Sequence, residues 1–357
     1  MAIFSKKMIK VAIDSGPLTG GHAIRGVGTY TAFLVKYLRK IKGLSVETVD
    51  FKKTNLSKYD IVHYPYFHPF FITLPFFKKI TTFVTIHDLI PLIYPKQYPS
   101  GIKGKLRFII QKWLIKKVDV IIAVSETSKK DIVRFLNIPQ EKIRVIYEGS
   151  KKIYSPIPKE AEELKEIAKK YKLPDKFVLY VGDVNYNKNI LRLADACKLA
   201  KISLVMVGKQ VASEDFDKEH PENREFAKFF EKYAEDSEIL RLGYVPDEEL
   251  KAIYNLATLY CQPSLYEGFG LPVLEAFACG TPVLISKTQA LVEVAEDAAV
   301  TVNPKDTKDI AEKILKLANS SEIRALLSKK GKERVDKFSW DKAAKQTAKL
   351  YSGVLGK

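Results

Sequence analysis

The chain has 357 residues, of which 46% are hydrophobic and 28% charged, so its composition is that of a globular rather than a disordered protein. Its length predicts two domains, each with a core of its own. Prolines interrupt the most apolar stretch, residues 61–77, and this excludes a membrane helix of roughly 20 apolar residues there. The first residues lack the apolar run of a signal peptide, so a cytoplasmic protein is expected.

Short apolar runs predict strands in the first half of the chain, and periodic apolar positions predict helices between them. The predicted strands are residues 9–14, 60–63, 82–86 and 118–124. A glycine-containing loop follows the first strand, and the predicted helices are residues 27–40, 105–116 and 126–135. Near-continuous apolar strands separated by helices predict a parallel sheet that is covered on both faces.

Two prolines in residues 153–158 predict a connector, after which the alternation restarts. The predicted strands are residues 177–182, 203–207, 239–242, 258–262 and 282–285, and the predicted helices are residues 189–200, 223–235, 247–255 and one that begins near Leu271. Residues 306–351 are predicted to be helical throughout, with a restart at the N-cap residue Ser339. The whole pattern predicts two successive doubly wound α/β units.

The net charge of +17 is unevenly distributed along the chain. Residues 1–160 hold 28 Lys and Arg against 11 Asp and Glu, whereas residues 161–357 hold 31 of each kind. A basic surface attracts anionic membranes, nucleic acids or phosphorylated substrates, although a Lys-rich solubilising surface is the simpler explanation. The excess leads us to expect peripheral binding of the first domain to the inner face of an anionic membrane. The three cysteines form no C-x-x-C pair and are interpreted as buried thiols.

The strongest motif joins a glycine-rich loop to the start of a helix. Pro272 suits a first helical turn, where unpaired amides and the positive end of the helix dipole favour a diphosphate. Gly268 and Gly270 allow a ligand to approach the backbone closely. Glu267 and Glu275 would repel phosphate, so we assign them to sugar and ribose hydroxyl groups, because an ionised carboxylate only accepts hydrogen bonds.

The spacing of Glu267 and Glu275, with G-F-G-L-P-V-L between them, resembles the E-x7-E signature of the group-one retaining glycosyltransferase family. Six further segments resemble the family in its order, so that the resemblance covers nearly the whole chain. They are G-V-G-T-Y (26–30), T-I-H-D-L (85–89), V-S-E-T-S-K-K-D-I (124–132), Y-V-G-D-V-N-Y-N-K-N-I (180–190), L-G-Y-V-P-D-E-E-L (242–250) and F-S-W (338–340). The sequence G-D-V-N-Y-N-K-N in the fourth segment favours mannosyltransferases and rhamnosyltransferases within the family.

The resemblance implies the GT-B fold, in which two Rossmann-like domains face each other across a cleft. Residues 1–155 would form the acceptor-side domain, residues 156–338 would bind the nucleotide sugar, and residues 339–357 would form a helix that returns to the first domain. The implied reaction is a metal-independent transfer of a mannose-like hexose from a nucleoside-diphosphate sugar to a glycan or polyprenyl-linked acceptor, with retention. No cofactor and no nucleic-acid partner are expected.

The resemblance also implies roles for the matched residues. The implied catalytic residues are His87 beside the anomeric carbon, Lys188 at the diphosphate and Glu267 at the sugar hydroxyls. The implied donor-binding residues are Gly26, Gly28, Asn187, Tyr244, Val245, Gly268, Phe269, Gly270, Leu271 and Glu275. Asp183 and Asn187 stand where the family often has arginines, which leaves Lys188 as the main cation for the departing phosphate.

Two other classes of function remain open from the sequence. The basic first half would also suit a non-catalytic protein that binds polyanions or nucleic acids. A nicotinamide-dependent oxidoreductase is a weaker alternative, because its fingerprint would place a small residue where this chain has Thr31. A two-carboxylate hydrolase is rejected, because Glu267 and Glu275 lie in one loop–helix element and not on both sides of a glycosidic bond.

Overall fold

The computed structural model describes residues 8–19 and 26–356, and the structural statements below concern these residues. The strands are β1 (Ile9–Asp14), β2 (Leu44–Val49), β3 (Ile61–Tyr64), β4 (Thr81–Ile86), β5 (Val120–Ala123), β6 (Ile143–Val145), β7 (Phe177–Val181), β8 (Ser203–Val207), β9 (Ile239–Gly243), β10 (Leu259–Gln262), β11 (Val283–Ser286) and β12 (Ala299–Val302). The helices are α1 (Gly26–Leu38), α2 (Ile90–Ile93), α3 (Gly101–Leu114), α4 (Glu126–Asp131), α5 (Glu162–Lys170), α6 (Ile190–Ala200), α7 (Arg224–Tyr233), α8 (Asp247–Leu256), α9 (Leu271–Cys279), α10 (Gln289–Ala295), α11 (Thr307–Asn319), α12 (Ser321–Val335) and α13 (Trp340–Val354).

The chain folds into two compact units. Of the described residues, the first unit comprises 8–19, 26–95, 99–149 and 339–356, and the second comprises 96–98 and 150–338. The connector predicted at residues 153–158 lies in the second unit. Lys151 Nζ lies 2.9 Å from both carboxylate oxygens of Asp247, and the hydroxyl of Tyr154 donates to the same carboxylate at 2.8 Å.

The first unit contains a six-stranded parallel sheet in the order β2-β1-β3-β4-β5-β6. Its central strands carry almost only buried residues, as expected for a sheet covered on both faces. The predicted strands are confirmed to within a few residues, whereas the edge strands β2 and β6 were not predicted. The core of this unit consists of aliphatic and aromatic side chains from the strands and from the helices that pack on them.

The last helix, α13, belongs to this first unit. The ring of Trp340 packs against the rings of Tyr30 and Phe33 on α1, with centroids 5.8 and 5.6 Å apart. At the other end of α13, the Tyr351 hydroxyl lies 2.6 Å from Nδ1 of His63 on β3. Aromatic packing and a buried polar contact therefore anchor both ends of the helix.

The second unit contains a six-stranded parallel sheet in the order β12-β11-β10-β7-β8-β9. The chain proceeds outward from β7 through β8 to β9, and then outward from β10 through β11 to β12 on the other side. This is the doubly wound order of a Rossmann-like domain, with the reversal of winding between β7 and β10. The predicted α/β class with two doubly wound parallel sheets is confirmed.

The prediction that residues 306–351 are helical throughout is wrong at Ser320. The backbone of Ser320 is extended, with φ −114° and ψ 106°, and its hydroxyl accepts a hydrogen bond from the amide of Ile323 at 3.2 Å. Serine at an N-cap satisfies an amide that the helix leaves without a partner, so α12 begins anew after α11. The predicted cap at Ser339 is confirmed, because its hydroxyl accepts from the amide of Lys342 at 3.2 Å.

The predicted state of the cysteines is also confirmed. Cys197, Cys261 and Cys279 are buried, and all three are free thiols. Across residues 8–19 and 26–356, no helix has both the length and the apolar character that crossing a membrane would require.

Candidate active site

The reversal of winding in the second sheet brings two of the predicted residues together. Strands β7 and β10 are neighbours, with Val178 paired to Leu259. In doubly wound sheets, ligands bind beyond the carboxyl ends of the two strands at which the winding reverses. Lys188 lies in the segment that follows β7, and Glu267 lies in the segment that follows β10. Both residues therefore lie where the topology favours a ligand.

Lys188 and Glu267 form a partly buried ion pair. The ammonium nitrogen of Lys188 lies 2.8 and 3.0 Å from the two carboxylate oxygens. The side chains of Gln262 and Ser264 donate to one of these oxygens at 2.8 and 2.6 Å. Only 8% of the Glu267 side chain is exposed, so these donors replace the water that a buried carboxylate loses. The loop thus holds a cation in a fixed position.

Asn187 fixes the two loops to each other. Its side-chain amide donates to the carbonyl oxygen of Tyr266 at 3.0 Å and accepts from the hydroxyl of Tyr98 at 2.7 Å. Its backbone carbonyl accepts from the amide of Leu265 at 2.7 Å. The buried side chain of Asn187 therefore joins the segments that carry Lys188 and its partner carboxylate.

Helix α9 begins directly at the predicted glycine loop. Gly270 is its N-cap residue with φ 125°, and a Cβ atom there would lie 2.8 Å from a methyl group of Leu291. Both the backbone conformation and the close approach therefore require glycine. Pro272 occupies the first turn, where a missing amide costs no helical hydrogen bond. The predicted loop residues all lie at this helix start: Gly268, Phe269, Gly270 and Leu271.

Glu275 lies on the buried side of α9. It is 8% exposed, and the hydroxyl of Tyr254 donates to its Oε2 at 3.1 Å. Burial raises the pKa of the Glu275 carboxyl to about 7, while the charge of Lys151 lowers this pKa and that of Asp247 raises it. Hydroxyl groups of a ligand that donated to this carboxyl would favour its ionised form.

Tyr244 and Val245 follow β9 at the edge of the second sheet. Tyr244 is 63% exposed, whereas Val245 is 4% exposed. The preceding Gly243 accepts a hydrogen bond from the amide of Gly208, which connects the carboxyl ends of β9 and β8. These two residues thus lie at the same end of the sheet as Lys188, with β8 between their strands. Their predicted contact with the nucleotide base stays a prediction.

The two predicted glycines of the first unit lie on α1. The described part of this helix runs from Gly26 and contains both Gly26 and Gly28. Gly28 is buried and Gly26 is exposed. Residues 20–25, which make up the rest of the predicted loop, lie outside the described residues.

His87 follows β4 and is held by two acceptors. Its Nδ1 lies 3.1 Å from Oε1 of Glu148, and its Nε2 lies 3.0 Å from the carbonyl oxygen of Pro65. Carboxylate and carbonyl oxygens only accept, so both ring nitrogens can donate only when the imidazole is protonated. Burial lowers the pKa of His87, but the hydrogen bonds with Glu148 and Pro65 and the charges of Glu148 and Asp88 together outweigh burial and leave this pKa above its ordinary value. The edge of the Tyr30 ring packs against the imidazole, with centroids 4.7 Å apart.

Comparisons with known proteins identify the family of the chain. Residues 160–334 match the family model "Glycosyl transferases group 1", and residues 49–150 match "Glycosyltransferase Family 4". O-antigen chain mannosyltransferase B of Escherichia coli is 31% identical over 284 residues, which cover 77% of this chain and 70% of that relative. This chain belongs to the group 1 glycosyltransferases.

Another relative of this glycosyltransferase is much longer. Serotype-specific mannosyltransferase WbdA of Escherichia coli is 29% identical over 265 residues, which cover 74% of this chain but 32% of that relative. The matched segment therefore spans about a third of the length of WbdA.

Solved structures of low sequence identity share the fold. Sucrose-phosphate synthase of Thermosynechococcus elongatus has a TM-score of 0.78 at 20% identity, covering 98% of this chain and 99% of that one. HepE of Anabaena, solved with UDP and glucose, has a TM-score of 0.74 at 15% identity, covering 97% of this chain and 100% of that one. The predicted GT-B fold class is thereby confirmed. None of the matches supports the alternative of a non-catalytic polyanion-binding protein.

The structure of the glycosyltransferase also adds residues that the sequence reasoning missed. Glu148, the partner of His87, follows the short edge strand β6. Lys151 and Asp247 form an ion pair whose charges both act on Glu275. The one signal for Glu148 was its place near the carboxyl end of a strand, and that strand was not predicted.

Proposed function

We propose that this glycosyltransferase moves a mannose-like hexose from a nucleoside-diphosphate sugar to a glycan or polyprenyl-linked acceptor, with retention and without a metal ion. The observation that carries the proposal is the Lys188–Glu267 pair beside the start of α9, at the carboxyl ends of β7 and β10. The mannosyltransferase names of the two relatives support the choice of sugar, and the nucleotide bound to HepE supports the class of donor.

The departing diphosphate is the group that most needs stabilisation. Cleavage of the bond between the anomeric carbon and the phosphate oxygen transfers an electron pair to the diphosphate. The ammonium group of Lys188 and the amides at the start of α9 would take up this charge. An ammonium has three N–H donors and can bond a carboxylate and a phosphate oxygen together. Fixed groups of this kind would serve in place of a divalent ion.

The two glutamates would bind hydroxyl groups of the donor. Glu267, held by Lys188 and two neutral donors, would accept from the transferred sugar. Glu275, buried within α9, would accept from the ribose, and each hydroxyl would compensate for the water excluded from its carboxylate.

Retention would follow from attack on the face from which the diphosphate departs. The acceptor hydroxyl forms the new bond to the anomeric carbon, and its proton passes to the oxygen of the leaving phosphate. His87 would lie beside the anomeric carbon, its ring held in place by Glu148 and by the carbonyl oxygen of Pro65.

A donor panel tests the proposal directly. The purified chain is incubated with GDP-mannose, UDP-glucose and dTDP-rhamnose and a mannose-terminated oligosaccharide, and the release of nucleoside diphosphate is followed. We expect release from GDP-mannose above that from the other donors, undiminished by a chelator. Nuclear magnetic resonance of the product should show the anomeric configuration of the donor, and an inverted product would contradict retention.

A further inference from the structure

Helix α3 in the first unit exposes a continuous apolar stripe. Ile102, Leu106, Ile109 and Trp113 are 89%, 61%, 66% and 54% exposed. At 3.6 residues per turn, these positions fall within a sector of about 60°. A helix on a globular protein normally turns such a stripe toward the core, and exposed contiguous apolar surface indicates an interaction site.

The opposite side of α3 is bound to its own unit. The side-chain amide of Gln111 donates to the carbonyl oxygen of His68 at 3.0 Å and to the hydroxyl of Thr73 at 2.6 Å. A Cβ atom at Gly104 would lie 3.5 Å from Cβ of Phe70, so this side of the helix lies against another segment of the same unit. Contacts on the far side thus fix the rotation of the helix and keep the apolar stripe outward.

A second apolar group adjoins the stripe. Phe76 and Phe77, in the segment before β4, are 51% and 86% exposed. Lys117 connects them to the helix, since its ammonium lies 3.1 Å from the ring centroid of Trp113 and 3.5 Å from the carbonyl oxygen of Phe76. We call the stripe together with Phe76 and Phe77 the α3 face.

Helix α3 and the residues that directly follow it carry only positive charge. Residues 99–118 contain six Lys and Arg and no Asp or Glu. Four of the cations lie on α3 itself: Lys103, Lys105, Arg107 and Lys112. Two copies of the chain that met through this face would bring these charges together, which disfavours self-association. Apolar side chains with Trp, flanked by lysines, are the pattern of a helix that lies in the interface of an anionic bilayer.

We propose that the α3 face docks on an anionic lipid bilayer. The apolar side chains enter the boundary between headgroups and acyl chains, and the flanking cations bind lipid phosphates. This inference does not depend on the identity of the donor or of the transferred sugar, because it concerns another surface of the first unit.

Tryptophan fluorescence provides a direct readout of docking. The chain has two tryptophans, of which Trp113 is 54% exposed and Trp340 is 1% exposed. The full chain is titrated with vesicles of phosphatidylcholine alone and of phosphatidylcholine mixed with phosphatidylglycerol. We expect a blue shift with the mixed vesicles only, reversed by salt and absent in Trp113→Phe, whose emission comes from Trp340.

A matched pair of variants tests the location. Leu106 on the α3 face and Leu199 on α6 of the second unit are both 61% exposed. Leu106→Glu should weaken sedimentation with the mixed vesicles at least about tenfold, because it removes an apolar anchor and adds a repelled charge. Leu199→Glu should leave vesicle binding unchanged. Circular dichroism and thermal unfolding check that both variants fold.

Three outcomes would overturn the proposal. The first is binding to neutral and anionic vesicles to the same extent, or to neither. The second is Leu106→Glu binding as tightly as wild type. The third is concentration-dependent association of the wild-type chain without vesicles that Leu106→Glu abolishes, because the occupant would then be a second copy of the chain.

Discussion

Both units place a cation against a buried carboxylate after strands of a parallel sheet, but the two pairs differ in their response to pH. In the second unit, Lys188 lies 2.8 Å from Glu267, and in the first unit, His87 lies 3.1 Å from Glu148. A lysine stays charged throughout the neutral range, whereas the charge of a histidine changes within it. The second unit therefore offers a constant positive charge and the first unit a conditional one.

The difference suits the roles that we propose for the two units. A departing diphosphate is negative at every working pH, so a constant cation is the appropriate counter-charge. The exception in the second unit is Glu275, whose pKa burial raises to about 7. Ionisation of Glu275 should therefore affect binding of the ribose more than departure of the phosphate.

Removal of the constant cation should have the largest effect. Lys188→Ala should lower the rate of nucleoside-diphosphate release by about 10²–10³-fold, because a fixed charge that faces the leaving group is lost. It should also lower the free energy of unfolding by about 2 kcal/mol, because the buried carboxylate of Glu267 loses its partner. Steady-state kinetics and denaturant unfolding measure the two effects.

A double variant separates these two effects of Lys188. Lys188→Met combined with Glu267→Gln removes both charges, so it should recover most of the unfolding free energy and none of the rate. Lys170→Ala is the control, since Lys170 pairs with Glu249 on the surface and its side chain is 55% exposed. Its loss should cost less than about 1 kcal/mol and leave the rate unchanged. Wild-type release by Lys188→Ala would refute the assignment.

Glu275→Gln should produce the next largest effect, and the size of this effect depends on pH. The pKa of the Glu275 carboxyl is about 7 in the folded chain and about 4.3 in the unfolded chain. The free energy of unfolding of the wild type therefore falls as the pH rises from the lower to the higher of these values. The variant should be more stable than wild type by about 3 kcal/mol at about pH 8, and this difference should vanish toward about pH 4. Denaturant unfolding at several pH values measures it.

The affinity of the wild type for a nucleotide should rise with pH, whereas its stability falls. If ribose hydroxyls donate to the ionised carboxyl, calorimetry should show wild-type affinity for GDP or UDP rising about tenfold from about pH 6 to about pH 8. Glu275→Gln should bind more weakly at the higher pH and show no such rise. An equally steep rise in the variant would mean that another group is responsible.

The contrast between the central and edge strands shows what the sequence could predict of the fold. Central strands such as β7 and β10 are buried on both faces and read as continuous apolar runs. The strands that were missed, β2, β6 and β12, all lie at sheet edges, where partial exposure admits polar residues and weakens the pattern. The break at Ser320 was missed although serine is a favoured N-cap residue.

The candidate site was predictable where neighbouring loops carry it and not where distant segments meet. The motif around Glu267 and the strand before Lys188 predicted a common location for both residues. Glu148 stands 61 residues after His87 in the sequence, and only pairing of β6 with β5 brings it near. The excess of basic residues predicted an interaction surface in the first half of the chain. The sequence did not locate this surface on α3, because the exposed side of a helix depends on how the helix packs.

Weakening the His87–Glu148 pair of the first unit should give the smallest effect, again with a size that depends on pH. The raised pKa of His87 stabilises the fold fully below its unfolded value of about 6.5, and this stability is lost as the pH rises through the folded value. Glu148→Gln keeps an acceptor but removes the charge. It should therefore lower the free energy of unfolding by about 1–2 kcal/mol at about pH 6 and by almost nothing at about pH 9. Denaturant unfolding across this range measures the difference, and the imidazole proton resonances of His87 should titrate at lower pH in the variant.

Glu141→Gln changes an exposed glutamate of the same unit and should show no pH-dependent difference. An effect of Glu148→Gln that stayed constant with pH would mean that Glu148 only packs against His87, and the contrast with the lysine pair would then fail.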